Sequence, residues 1–110
     1  MEEKDRIFIS LIEKLKIKSP GDWKEFPQAL QRPELITTLE SFTIRFFPYK
    51  KDIDISIIEN KRMLIEFSEN LYQQRTRELY NQILEGLREY EKNAPERLNK
   101  LFISSNHQSL

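Results

Sequence analysis

Phe8, Leu11, Ile12 and Leu15 recur at the i, i+3, i+4, i+7 spacing of one helical face, with Glu13, Lys14 and Lys16 opposite. This pattern predicts a first helix from about Glu3 to Ile17. Ser19, Pro20, Gly21 and Asp22 then form the strongest breaker cluster in the chain. Asp22 and Glu25 have the spacing of a capping box, but Pro27 forbids a long regular helix, so Trp23 to Leu30 reads as a short, irregular helical stretch. Pro33 suits a first helical position, and Leu35, Leu39, Phe42 and Phe46 follow at spacings of four, three and four, which predicts a second helix from about Pro33 to Phe47. A strand is the alternative there, because Phe42, Ile44 and Phe46 alternate with Thr43 and Arg45. Pro48 ends the element on either reading, and Lys50 to Asp54 becomes a charged connection.

Beyond it, Ile57, Leu64 and Leu71 repeat at seven, and Tyr72, Leu79, Ile83, Leu87 and Tyr90 continue the stripe with no proline and only Gly86 as a weak point. The expectation is one helix from about Ile55 to Glu91, roughly 50 Å long at about 1.5 Å per residue, overhanging whatever packs against it. Asn93, Pro95 and Glu96 mark a restart, giving a short last helix through Leu98, Leu101 and Phe102. The expected fold class is therefore all-α: a small helical bundle with one long helix, elongated or oligomeric, as a single domain over residues 1–103 followed by a disordered tail, 104–110. Its expected core is Phe8, Leu11, Ile12, Leu15, Leu35, Leu39, Phe42, Phe46, Leu64, Leu71, Leu79, Ile83 and Leu87.

Composition narrows the functional classes. Lys plus Arg and Asp plus Glu both total 18, so no global field draws the chain to a polyanion, and nothing electrostatic opposes contact between copies. The absence of cysteine excludes disulfides, thiolate metal sites and a cysteine nucleophile, and with the absence of any window of 18 apolar residues it suggests a cytoplasmic protein without membrane contact.

Candidate chemistry is sparse. His107, the one histidine, lies in the tail, and two glycines cannot build a phosphate-cradling loop. The carboxylate pairs Asp52 with Asp54 and Glu66 with Glu69 lack the Glu-x-x-His companion of a carboxylate-metal bundle and read as solvated faces. No enzyme, cofactor or small-molecule ligand is expected. Arg45, Lys50, Lys51, Lys61 and Arg62, interleaved with Phe46, Phe47 and Tyr49, form the alternative reading, a basic and aromatic patch for nucleic acid. Arg75 lies four residues after Leu71 and four before Leu79, on the apolar stripe, where a guanidinium needs a carboxylate from another helix or another chain. With Arg77, Leu79, Ile83, Leu87 and Tyr90 it defines the expected interface to a protein partner, another copy or a different chain.

From Ile57 to Leu87 the pattern of Glu59, Lys61 and Leu64, then Leu71, Tyr72, Arg75, Arg77, Leu79 and Ile83, resembles the helical domain of archaeal GINS replication-complex subunits. The resemblance covers roughly a third of the chain, with Glu78 departing from it where a basic residue is expected. It implies a non-enzymatic scaffold, a subunit of a DNA-replication-type assembly whose helices pack against sister subunits.

Overall fold

The computed structural model describes residues 2–104. Helix α1 (Glu3–Lys16) forms where the spacing predicts it, burying Phe8, Leu11, Ile12 and Leu15. A single 3-10 turn (Pro20–Asp22) follows, with Ser19 and Asp22 as its capping box. From there the chain departs from the all-α expectation. Five strands, β1 (Lys24–Gln28), β2 (Gln31–Leu39), β3 (Phe42–Tyr49), β4 (Asp52–Glu59) and β5 (Arg62–Phe67), make an antiparallel meander in sequential order. Helix α2 (Asn70–Lys92), the five-residue helix α3 (Ala94–Leu98) and a π-helical segment (Asn99–Ser104) complete the chain. The fold is a mixed α/β two-layer arrangement, and the small helical bundle is overturned. The tail expected from residue 104 onward falls, beyond Ser104, outside the described residues.

The helix expected from Pro33 to Phe47 is a hairpin instead, and the reason lies in its register. Leu35 faces Phe46 and Leu39 faces Phe42 across β2 and β3, so one two-residue turn puts all four on the same sheet face. Their helical spacing is a by-product of hairpin pairing. β-branched Ile36, Thr37, Thr38, Thr43 and Ile44 favour the extended form throughout this stretch. The long helix expected from Ile55 to Glu91 likewise begins only at Asn70. Before it, Ile53, Ile55 and Ile57 point inward between Asp52, Asp54 and Ser56, an alternation of period two that the coincidental heptad of Ile57, Leu64 and Leu71 concealed.

All four hairpins turn through two residues, and none uses glycine at a positive φ. Leu30, Glu40, Lys50 and Asn60 carry φ values of 63°, 55°, 56° and 51°, with Lys61 at 65° completing a turn positive at both central residues. The two glycines lie elsewhere, where the 3-10 turn meets α2. A side chain at Gly21 would come within 3.2 Å of the Tyr90 hydroxyl, and Gly86 sits over Pro20.

One sheet face carries the core. Leu35, Phe46, Ile55 and Phe67 are cross-strand neighbours in β2 to β5, all fully buried, and both long helices pack over this row. Phe8 meets Phe67 and Tyr72 at ring-centroid distances of 5.2 and 4.6 Å, while Phe46 sits between Trp23 and Tyr80. Helix α2 buries Tyr72, Gln73, Thr76, Leu79, Tyr80, Ile83 and Leu87, a stripe of period near 3.6. Leu64 and Leu71, placed in the core by their heptad spacing, are more than half exposed. The opposite sheet face is mixed: Ile36, Arg45, Ser56 and Glu66 align across it, and Arg45 pairs with Glu34 while covering the Phe47 ring at 4.5 Å.

Candidate functional site: an apolar groove beside the first helix

The two long helices lie parallel on the inner sheet face. At their N-terminal ends Lys4 bonds Glu69 at 2.7 Å and the Tyr72 hydroxyl donates to Asp5 at 2.6 Å; at the other end Leu15 packs near Leu79 and Ile83. Hydrogen bonding to Asp5 pushes the Tyr72 hydroxyl up to about 12, and the Lys4 ammonium holds the Glu69 carboxyl below its usual range. The α2 C-terminal half is fastened to edge strand β1 by Arg88, which donates two hydrogen bonds to Glu25 at 2.6 and 2.7 Å and depresses its pKa. Buried Gln73 ties α2 to the sheet: its carbonyl oxygen accepts the Ile53 N–H at 2.8 Å, and its amide donates to the Ser68 carbonyl at 3.1 Å.

These ties hold the helices over one row of the sheet and leave the next rows partly open. In the second row, Thr37 and Ile44 are buried, but their neighbours Ile57 and Ile65 are only half-buried; in the third, Leu39 faces Phe42 with both partly covered. The result is a groove of about 280 Å³ between α1 and the β2–β3 and β4–β5 hairpins. It is lined by Ile7, Leu11, Leu39, Phe42, Ile44, Ile57, Leu64 and Ile65, with no polar side chain among them. A second depression of about 480 Å³ adjoins it, sharing Ile7, Leu11 and Ile57 and rimmed by Glu3, Arg6, Ser10 and Lys14. Together they make a greasy floor with a charged rim along one side of α1.

The groove opens beside strand β5, an edge with no strand hydrogen-bonded on its far side among the described residues. The two sheet edges differ. Both carry an irregular register, between Phe26 and Gln28 in β1 and opposite Ile57 and Ile58 in β5, but β1 is further interrupted by Pro27, which blunts strand addition. Edge β5 has no proline and exposes Met63 and Leu64.

The residues singled out in the sequence are scattered by the fold. Leu79, Ile83 and Leu87 are consumed by the chain's own core and present no surface to a partner. Arg75 does not lie on the packed face: it is exposed beside Leu71 and reaches Glu13 of α1 at 3.9 Å, a rim pair. Arg77 is exposed, and Tyr90 stacks under the Arg97 guanidinium at 3.8 Å. Of the basic residues, Lys50 and Lys51 form the β3–β4 turn, whereas Lys61 lies in the β4–β5 turn and Arg62 opens β5 at the other end of the eight-residue strand β4, roughly 25 Å away at about 3.3 Å per residue. Arg45 is already paired with Glu34. His107 lies outside the described residues, and among those described no group of His, Cys, Asp and Glu is placed to hold a metal.

The groove itself was missed in the sequence because its walls come from five elements that the helical reading had merged into three. The signal that could have found it is the ten-residue recurrence of polar pairs Glu40–Ser41, Lys50–Lys51 and Asn60–Lys61 between alternating apolar runs. Compared with protein-family models, curated proteins and solved structures, the chain matches none of them. Of the stretch from which the likeness to GINS subunits was read, Ile57 to Phe67 forms the end of β4, a two-residue turn and β5, and Asn70 onward forms α2. Among the described residues no helix is long and apolar enough to cross a membrane.

Proposed function

We propose that the chain is a non-enzymatic, cytoplasmic protein-interaction module that holds an apolar polypeptide segment in the groove between α1 and β5. The observation that carries this reading is the chemistry of the groove: a wholly hydrocarbon lining, open at a sheet edge, with charges only on its rim. A site for a small polar substrate needs a few convergent polar groups to orient it, and this lining supplies none. Polypeptide is the class of ligand that combines apolar side chains for the floor with charged ones for Glu3, Arg6 and Lys14. The alternative, nucleic-acid binding, lacks an assembled cationic surface because Lys50 and Lys51 lie far from Lys61 and Arg62.

Selection of peptides displayed on phage against the immobilised protein tests the reading. Selected peptides should be amphipathic, and Leu64→Glu, which places a charge at the groove mouth, should abolish their binding while circular dichroism and the urea midpoint stay close to wild type. Peptides that bind the Leu64→Glu protein equally well would show that the groove is not the site.

A further inference from the structure

The chain also carries a segment of the chemistry this groove demands. Past Asn93 the polypeptide leaves the body: apart from half-buried Ala94, every described side chain from Pro95 to Ile103 is exposed. Leu98, Leu101, Phe102 and Ile103 are 53%, 63%, 58% and 63% exposed. Ala94, Leu98, Leu101 and Phe102 follow at i, i+4, i+7 and i+8, one helical face, with Glu96, Arg97 and Lys100 elsewhere on the surface. A contiguous apolar stripe of this kind, held in helical form and left exposed by the other described residues, is an unpartnered docking surface. The segment is also anchored, since Arg97 donates to the Tyr90 carbonyl at 2.7 Å and lies over its ring, and the molecule is drawn out to 63 Å in its longest dimension.

The segment cannot reach its own groove. Helices α1 and α2 are parallel, with Leu15 level with Leu79 and Ile83. Ala94 lies eleven residues beyond Ile83, about 16 Å further along, whereas the groove residues Ile7 and Leu11 lie about 6 to 12 Å back from Leu15 in the opposite direction. In helical form residues 94–104 span about 16 Å, so even folded back at Asn93 the segment stops short of a groove on the order of 25 Å away.

We propose that two copies of this chain associate by reciprocal exchange, each laying its C-terminal helical segment, residues 94–104, in the groove beside the other's α1. This rests on the groove being a polypeptide site, and names its occupant. Exchange about a two-fold axis closes the assembly at two chains and buries both apolar surfaces twice over. The rim sets the direction. Glu96 and Lys100 stand four residues apart on the segment, about 6 Å, and Glu3 and Arg6 stand three apart on α1, about 4.5 Å, so an antiparallel arrangement brings Lys100 to the partner's Glu3 and Glu96 to the partner's Arg6.

Sedimentation of the full chain over a wide concentration range tests the exchange. The wild type should approach the mass of two chains, and Phe102→Glu and Leu64→Glu should each sediment as single chains, with circular dichroism confirming that both remain folded. Phe102 lies outside the body, so that variant keeps the test sound even if Leu64→Glu disturbs β5. Mixing the two variants should restore a heterodimer, because one segment and one groove remain intact. Arg6→Glu should weaken association by about fivefold, and adding Glu96→Lys should recover it. A wild type that stays a single chain at every concentration, or a dimer that survives Phe102→Glu, overturns the exchange. If peptide selection still enriches binders sensitive to Leu64→Glu in that event, the groove reading stands with another occupant; if it does not, both fail.

Discussion

Lys50 holds a φ of 56° at a hairpin tip, a left-handed conformation that costs a residue with a Cβ about 1–2 kcal/mol. Glycine adopts it freely but loses more backbone entropy on folding, so Lys50→Gly should raise stability by up to about 1 kcal/mol, read as a higher urea midpoint at unchanged slope. Glycine keeps the backbone N–H that donates to Gln31 at 3.1 Å, so a lower midpoint would mean that its extra backbone entropy and the lost contact of the Lys50 ammonium with the Tyr49 ring outweigh the relieved strain. Two carboxylates respond to pH in opposite senses. Burial first, and then repulsion from Glu66, raises the pKa of Asp54, so its ionisation weakens the fold as pH climbs through that raised value. Asp54→Asn should therefore be more stable than wild type at neutral pH, with the advantage gone below about pH 4. Glu25, lowered by Arg88, supports the fold above its unfolded pKa and loses that support as pH falls through the lowered one. Glu25→Gln should weaken the protein at neutral pH and converge on wild type in acid. Urea titrations at a series of pH values from neutral to acid check both signs. At this scale the sequence was least informative: nothing in a lysine announces a positive φ, and nothing in the polar run from Gln73 to Glu78 marks Gln73 and Thr76 as the buried ones.

Whole elements were legible where a single period ran without a competitor. The α1 stripe of Phe8, Leu11, Ile12 and Leu15 needed no correction, because no other pattern fits those positions. Between Pro33 and Phe67 two periods competed, and hairpin partners masqueraded as helical neighbours in a region whose turns contain no glycine. In α2 the error was one of phase: counting from Leu64 put Leu71 on the core face, whereas the helix starts after the sheet and its true stripe starts at Tyr72. The phase can be checked directly. Leu79→Ala should cost about 2–5 kcal/mol, and Leu71→Ala, at a site 68% exposed, less than about 0.5 kcal/mol. Gly86 offers the converse test within the same helix. A Cβ there would have Pro20 as its nearest neighbour at 3.7 Å, an ordinary contact, so Gly86→Ala should gain helix propensity and stabilise the protein by about 0.5–1 kcal/mol. A loss instead would show that the 3-10 turn is packed against α2 more tightly than these distances allow.

Taken as one object, the molecule divides energetically between a body stitched together by long-range contacts and an extension whose described side chains, Ala94 apart, are exposed. The central strands β3 and β4 are paired on both sides, and their inner residues Phe46, Ile53 and Ile55 have no solvent exposure. Opening them means opening the whole sheet, so their amides should exchange hydrogen only through global unfolding. Among the described residues the extension is held by its own helical bonds and the Arg97 tether to Tyr90, and short helices in water are marginal without tertiary packing. The amides of residues 94–104 should therefore exchange rapidly in dilute protein. The same amides become the most informative in the molecule once concentration rises, because association that seats Leu98, Leu101 and Phe102 in a groove must slow them, together with those of β5, while leaving β3 and β4 unchanged. Hydrogen exchange followed by mass spectrometry at two concentrations separates the possibilities. Concentration-dependent protection confined to residues 94–104, α1 and β5 is the expected outcome. Uniform rates at both concentrations would mean that the extension stays free of the groove, and slow exchange in dilute protein would mean that it is already packed within a single chain.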